Sequence, residues 1–332
     1  MNYIGSKLKL SNFILSTVKE VVGADLSSKI FCDLFAGTGI IGRVFKPEVK
    51  QVIANDLEYY SYVLNKNYIE NNRAFDYVAL LEKLNNLKPV KGFIYNNYCL
   101  EGVAKRQYFS DENGMKIDAI RQEIEQLKRH REISDNAYFF LLASLLESAD
   151  AVANTAAVYG AFLKHLKKSA QKPLVLKPAV FEVTNQKNRV YNTDSNLLIE
   201  KIEGDILYLD PPYNARQYGA NYHLLNTIAQ YKPFIPKGKT GLPVYNKSAY
   251  CQKNEVLKTF EHLLKKAQFK FLFLSYNNEG LMSAQTIENL MKKYGKYSLK
   301  TATYQRFKAD KTENRQHKAT QTTEYLHILE KR

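Results

Sequence analysis

Cysteine is scarce in this chain. Cys32, Cys99 and Cys251 are too few and too scattered among 332 residues for a disulfide framework or a cysteine-rich zinc site, so buried thiols are the plainer reading. No run approaches the roughly 18 apolar residues that a membrane-spanning helix needs, and no membrane partner is expected. The first residues lack the apolar core of a signal peptide, which makes the cytoplasm the default location. The six histidines form no cluster with cysteine or aspartate at ligand spacing, and no metal is expected. No segment repeats. Acid is also in short supply, with 33 Asp and Glu against 48 Lys and Arg, a net charge of +15. The excess is unevenly spread. Residues 161–191 hold seven basic side chains (Lys164, Lys167, Lys168, Lys172, Lys177, Lys187 and Arg189) against one Glu, and residues 291–332 hold eleven against four. Attraction to nucleic-acid phosphates explains both clusters, and so does a solvated basic surface.

The length allows two domains, or one domain with a large insertion, and 45% hydrophobic with 24% charged residues is an ordinary globular balance. Leu8, Phe13, Ile14, Leu15 and Val18 predict a helix over 8–22. A short apolar strand over 29–34 runs directly into a turn of small residues, and a helix starts over 40–45. A second strand over 51–54 ends in Asn55 and Asp56, and a tyrosine-rich helix follows over 58–70. Strand, glycine turn, helix and strand in that order open a doubly wound α/β domain. The regularity then breaks. Residues 95–113 read as irregular surface, 115–132 as a charged helix and 137–157 as a buried Ala- and Leu-rich helix. Residues 172–178, with two prolines, form a connector or an edge. The strand pattern returns at Val190, with strands over 205–209 and 270–275 and a helix over 253–266. Alternating strands over 297–307 and 322–329, joined by the polar segment 308–321, predict a closing antiparallel hairpin. Residues 213–250 read as a long loop with a helix only over 222–229, and so long a loop marks a lid or binding segment. The expected fold is α/β, a Rossmann-like sheet formed by 1–75 and 188–332, with 76–187 as a mainly helical insertion.

Two motifs carry chemistry. Asp33-Leu34-Phe35-Ala36-Gly37-Thr38-Gly39-Ile40-Ile41-Gly42 contains a G-x-G-x-x-G directly after a strand. Gly37 and Gly39 permit a tight turn whose backbone approaches a ligand closely. Asp56 is placed to accept hydrogen bonds from ribose hydroxyls. A nucleoside-containing cofactor follows, and nicotinamide dinucleotide and S-adenosylmethionine both fit; a purely structural turn is the bland alternative. Asp33 and Phe35 lean away from a dinucleotide, because an acid at the first turn repels pyrophosphate but suits the amino group of methionine. The second motif, Asp210-Pro211-Pro212-Tyr213, ends an apolar strand where open α/β sheets place their ligands. Pro211 and Pro212 lead the chain rigidly out of the sheet and present carbonyl acceptors without amide hydrogens. Asp210 adds carboxylate oxygens, and Tyr213 offers an aromatic face to a planar base. Such a set suits an amine bearing two hydrogens; a rigid turn with a core tyrosine is the alternative.

Together, Tyr3-Ile4-Gly5-Ser6-Lys7, Asp33 to Gly39, and Asp210-Pro211-Pro212-Tyr213 resemble the motifs of adenine-N6 DNA methyltransferases of the Dam and FokI type, in their alpha arrangement. The resemblance spans nearly the whole chain and is least distinctive in the insertion. It implies an S-adenosylmethionine-dependent methyltransferase sheet, with S-adenosyl-L-methionine as cofactor and S-adenosyl-L-homocysteine as product. It assigns Tyr3, Lys7, Gly37 and Gly39 to the methionine side, Asp56 to the ribose and Asp194 to the cofactor adenine. Ser195 follows that acid where the family usually has phenylalanine, so Leu197 or Ile199 is expected to pack the adenine ring. The segment Arg216 to His223 resembles one branch of the family, as do Gly238 to Leu242 and Tyr276 to Gly280. Double-stranded DNA is the implied partner, with Lys164, Lys167, Lys168, Arg189, Arg216, Gln217, Tyr218 and Lys308 as contacts and the helical insertion as the DNA-recognition region. The resemblance also implies a restriction-modification setting, in which a cognate endonuclease acts on the same site without a stable complex. The cell would be prokaryotic or phage-infected, with the protein at the nucleoid.

The exocyclic amine of adenine is a poor nucleophile because its lone pair is delocalised into the ring. Hydrogen bonds from its two protons to Asp210 and the Pro211 carbonyl favour localisation of that pair and stabilise the charge that develops on nitrogen. Displacement then needs reacting atoms held about 3 to 3.5 Å apart, which requires extrusion of the base from a duplex. Methylation at cytosine C5 would need a nucleophilic cysteine, and no Pro-Cys motif lies near the strand ends. Amine methylation of an RNA purine shares the chemistry. A non-catalytic DNA-binding protein on this fold would be expected to lose a glycine, Asp210 or Tyr213, and all are present.

Overall fold

A computed structural model of the chain describes residues 6–305 and 321–332. They form two compact units, each built from separate stretches of chain. The first holds residues 6–57, 185–217, 247–305 and 321–332 around a seven-stranded sheet. Its strands are β1 (Ile30–Asp33), β2 (Gln51–Asn55), β3 (Arg189–Tyr191), β4 (Glu203–Leu209), β5 (Gln268–Asn277), β6 (Gly295–Gln305) and β7 (Gln321–Lys331), in the order β3-β2-β1-β4-β5-β7-β6. The first five are parallel, while β7 runs antiparallel to both β5 and β6. The predicted hairpin therefore closes the sheet, with β7 on its inner side; the polar segment between its strands lies outside the described residues.

Central strands buried on both faces read as continuous apolar runs, and Ile206 to Leu209 of β4 are all buried. On one face they pack on Phe260, Leu263 and Leu264 of the helix Val256–Lys266 and on Ile287, Leu290 and Met291 of the helix Ala284–Lys292. On β1, Phe31 stacks on Phe45 of the helix Ile40–Phe45 at 3.9 Å between ring centroids. The helix Ser11–Val22 buries Ile14 and Val18, four residues apart, and ends at Gly23 with φ 128°. The helix Ala284–Lys292 has no counterpart among the elements expected from sequence, although its signals are local. Ser283 caps it by accepting from the Thr286 amide, and its buried residues recur at helical spacing.

The second unit holds Glu58–Thr184 and Tyr218–Asn246. Its long helices, Asp111–Arg129 and Asp135–Val152, begin at Ser110 and Ser134, whose hydroxyls accept from Asn113 and Ala137 amides. Acids in the first turn and Lys128 and Arg129 in the last complement the helix dipole of the former. The helix Phe93–Tyr98 occupies part of what reads as irregular sequence. Asp118 organises its start, accepting from the amides of Gly92, Ile94 and Tyr95 at 3.0, 2.9 and 2.8 Å. A cap supplied from more than twenty residues away leaves no local signature.

The unit boundaries fall at 57/58 and 184/185 rather than at 75/76 and 187/188, and residues 218–246 join the helical unit. Hydrophobic burial explains the difference. Tyr222, Leu224, Leu225 and Ile228 are buried in the same core as Ile117, Ile120, Phe140 and Leu141. Buried Arg121 reinforces this, donating to the carbonyls of Ile228 and Ala229, both at 3.1 Å, and pairing with Glu125 at 2.8 Å. The predicted helix over 58–70 is a helix Tyr59–Asn65 passing into a π-helical turn Lys66–Glu70, and it too belongs to this unit.

Candidate active site

β1 has β2 on one side and β4 on the other, and connections leave it in both directions, so its carboxyl end is a topological switch point, where such sheets open a crevice for ligands. The two chemical motifs converge there. Asp33, the last residue of β1, is in register with Tyr208, two residues before Asp210, and the Leu34 amide donates to the Tyr208 carbonyl at 3.2 Å.

The glycine turn is pinned at both ends. The Ala36 amide donates to the Asn55 carbonyl at 2.9 Å, and the Gly39 amide to the Ala36 carbonyl at 2.8 Å. Gly37 and Gly39 take φ 51° and 77°, values that favour glycine, and Gly39 leads directly into the helix Ile40–Phe45. Asp56 faces the turn, accepting from the Gly37 amide at 2.8 Å. Asn192 holds this corner through the carbonyls of Asp56 and Leu57.

Asp33 is buried, accepts from the Gly42 and Phe35 amides, and among the described residues keeps Oδ1 with no hydrogen-bond partner. Burial, then the neighbouring Asp210 and Asp56 carboxylates, raise its pKa well above the carboxylate range. A buried acceptor without a donor is costly. A ligand cation such as the methionine ammonium of S-adenosylmethionine supplies the missing donor, and Asp33 fits that group. Phe35 packs edge-on against Tyr250 at 5.0 Å between centroids. Asp194 is exposed and caps the helix Ser195–Leu198, accepting from the Asn196 and Leu197 amides. Of the two expected apolar partners beside it, Ile199 is fully buried in the core and closed to a ligand, whereas Leu197 is 62% exposed.

At the end of β4, Lys7 and Asp210 form an ion pair at 2.9 Å, and Lys7 also lies 3.2 Å from Glu324 of β7. The lysine is 6% exposed, Glu324 3% and Asp210 18%, so Asp210 is the most accessible of the three. Burial lowers the affinity of Lys7 for its proton, yet the two carboxylates outweigh it and hold its pKa well above the lysine range. Burial raises the Asp210 carboxyl to about 6, against the pull of Lys7 and with a push from Glu324. Glu324 belongs to no motif, and in a strand that also carries Thr323, His327 and Glu330 its charge gives no local hint of a partner. Tyr213 is half-buried, meets Tyr276 edge-on at 6.4 Å and lies under the Lys7 ammonium at 5.9 Å from its ring centroid. Its carbonyl accepts from the Leu281 amide at 3.0 Å, so Tyr276 and Leu281 fix the start of the exit loop.

The residues expected to contact DNA fall into different situations. Lys164, Lys168, Arg189 and Arg216 are exposed. Lys167 is half-buried and donates from Nζ to the Thr155 carbonyl at 2.8 Å, while its amide donates to Asn154. The Gln217 amide group is engaged by Ser248 in both directions, accepting from its amide at 2.8 Å and donating to its carbonyl at 3.3 Å. Tyr218 stacks on Tyr222 at 6.0 Å. Tyr3 and Lys308 lie outside the described residues. Among those residues no group of three His, Cys, Asp or Glu is placed to hold a metal, and no helix is long and apolar enough to cross a membrane. All three cysteines are free and buried.

A glycine turn at the end of one strand and the Asp210 carboxylate at the end of its neighbour, across a switch point, are the arrangement of a cofactor-dependent methyltransferase with an α/β sheet. The chain belongs to the D12 class of N6 adenine-specific DNA methyltransferases, whose family pattern it matches over residues 3–290. It is 62% identical over its whole length to the type II methyltransferase M.NlaIII of Neisseria lactamica, covering 99% of that protein. It is 40% identical to M.CviAII of Paramecium bursaria Chlorella virus 1 over 93% of both chains. The identity is 38% to M.FokI of Planomicrobium okeanokoites, of which this chain spans 53%. Solved structures resemble it only faintly, as with a magnesium protoporphyrin IX methyltransferase from Synechocystis at TM-score 0.34 and 8% identity. The protein is a site-specific DNA adenine-N6 methyltransferase that uses S-adenosylmethionine.

Proposed function

We propose that Asp210 and the Pro211 carbonyl accept the two hydrogens of the target amine while Tyr213 stacks on the extruded adenine. S-adenosylmethionine supplies the electrophilic methyl group. Gly37 and Gly39 let the backbone approach it, Asp33 pairs with its ammonium, Asp56 accepts from its ribose and Asp194 lies toward its adenine with Leu197 alongside. Lys7 keeps Asp210 ionised, the form that can accept from an amine and stabilise positive charge growing on nitrogen. The proton leaves the methylated nitrogen afterwards, to Asp210 or to solvent. The single observation that carries this reading is Asp210 itself, a partly exposed carboxylate at the end of β4 backed by a buried ammonium. The helical unit, with Lys164 and Lys168 exposed, is the target-recognition region on this reading, and Arg189 and Arg216 reach phosphates from the sheet unit. The protein works on duplex DNA in the cytoplasm of a prokaryotic or phage-infected cell, beside an endonuclease of the same site specificity that forms no stable complex with it.

Incubation of purified protein with duplex DNA and S-adenosylmethionine, followed by mapping of methylated adenines, gives the recognition sequence. On that duplex, Asp210→Ala should abolish tritiated-methyl transfer and leave calorimetric affinity for S-adenosylmethionine nearly unchanged. Activity within about tenfold of the parent, a difference of only about 1.4 kcal/mol in barrier, sinks the assignment.

A further inference from the structure

Glu324 lies outside every motif, yet it is the most deeply buried of the three charges at the end of β4. It is held within β7, in register with Asn277 of β5 and Ala302 of β6, so neighbouring strands fix its backbone on both sides. Strand alternation puts its side chain on the same face as Leu326 and Ile328, both buried. A carboxylate in such surroundings requires a compensating charge, and Lys7 at 3.2 Å supplies it. The contact is electrostatic, because among the described residues Glu324 Oε1 is buried without a hydrogen bond. The same ammonium hydrogen-bonds to Asp210, 2.9 Å away. One cation is thus shared by two carboxylates: one locked inside a strand and closed to solvent, the other at a strand end and open.

We propose that Glu324 is a positioning residue for methyl transfer, acting through Lys7 to fix where the ammonium sits while dividing its charge with Asp210. The inference rests on the reading of Asp210 as the acceptor of the adenine amine. Asp210 is faced by Lys7, Glu324, Asp33, Tyr208 and Tyr213. Lys7 alone among them is cationic, so whatever divides its attraction controls the carboxylate. With Glu324 ionised, Lys7 serves both acids and Asp210 holds its proton up to about pH 6. Loss of the Glu324 charge gives the whole ammonium to Asp210, which then ionises at lower pH. Since the ionised form accepts the amine hydrogens, the acid limb of the transfer rate reports on Glu324.

The test measures single-turnover methyl transfer at saturating S-adenosylmethionine and duplex, over roughly pH 5 to 8. In Glu324→Gln the acid limb should move down by about one unit relative to the parent, as expected for one charge removed a few ångströms away. Glu324→Asp keeps the charge but withdraws it by one methylene, so its limb should stay in place while the plateau rate falls by about tenfold. A residue that merely fills space would move neither limb. A Glu324→Gln limb superimposed on the parent's overturns the inference, and an inactive Asp210→Ala in the same series then leaves the role of Asp210 standing. An active Asp210→Ala overturns that role instead. If Glu324→Gln does not fold, Glu324→Asp carries the test: a plateau rate equal to the parent's overturns the inference.

Discussion

Replacement of Tyr213 separates its ring from its hydroxyl. Among the described residues the hydroxyl has no hydrogen-bond partner, whereas the ring meets Tyr276 edge-on at 6.4 Å and lies beneath the Lys7 ammonium. Burial and the nearby acids raise the phenol's pKa against the pull of Lys7, so the hydroxyl carries no charge at neutral pH and is a poor proton carrier. Tyr213→Phe keeps the stacking face, the edge contact and the cation over the ring, and should retain activity within a few-fold. Tyr213→Ala removes all three. Stacking of a base on an aromatic side chain is worth roughly 1 to 3 kcal/mol, or about 5- to 150-fold in rate. The cation–ring contact adds about 0.5 to 1 kcal/mol and helps keep Lys7 against Asp210. Turnover on the cognate duplex should therefore fall at least about tenfold in Tyr213→Ala. 2-Aminopurine at the target position reports whether extrusion of the base weakens in parallel. If Phe is as inactive as Ala, the hydroxyl has a catalytic or orienting task that this scheme omits. If Ala is fully active, the target base is held by something other than Tyr213.

Gly39→Val should abolish measurable S-adenosylmethionine binding, because a β-branched residue resists φ 77° and its side chain intrudes on the turn. An unchanged dissociation constant in calorimetry would make the turn purely structural. Lys168→Ala should weaken binding to all duplexes alike and lower the salt slope by about 0.9 for each phosphate the lysine neutralises, while Lys167→Ala should leave the slope unchanged, since its ammonium is bonded to Thr155. Equal slope changes in both would refute that distinction. Arg121→Met should destabilise the helical unit by about 3 kcal/mol in urea unfolding followed by helical circular dichroism, because two buried carbonyls are deprived of a charged donor. An unshifted transition would show that Ile228 and Ala229 are satisfied otherwise.

What the sequence discloses here follows from how local its causes are. The apolar runs ending at Asp33 and Leu209 identify two central strands, and the motifs that follow them lie at the carboxyl end of the sheet, where the candidate site is. Ser110, Ser134 and Ser283 mark helix starts through a single side chain bonding three residues onward, a signal readable without a fold. Asp118 and Glu324 are of another kind. Each acts on chain far away in sequence, Asp118 on 92–95 and Glu324 on Lys7, so their purpose exists only after folding. Charge counting also says nothing of single positions: Lys167 belongs to a basic run, yet its ammonium is bonded to the Thr155 carbonyl. The segment after Tyr213 reads as a lid because its polar residues hide Tyr222, Leu224, Leu225 and Ile228, which a core elsewhere in the chain claims.

On the proposed reading of the helical unit as the target-recognition region, that last feature bears on how such a protein changes specificity. Because residues 218–246 complete the core begun by 58–184, the helical unit is not one continuous cassette of the gene. Exchange of the intervening stretch alone between two relatives would join a new half-core to an old one, and their buried surfaces would have to match side chain for side chain. During synthesis the unit also waits for its closing segment to leave the ribosome, after Asp210 has been made. New recognition would therefore arise by stepwise substitution of exposed residues on a retained frame rather than by shuffling of segments.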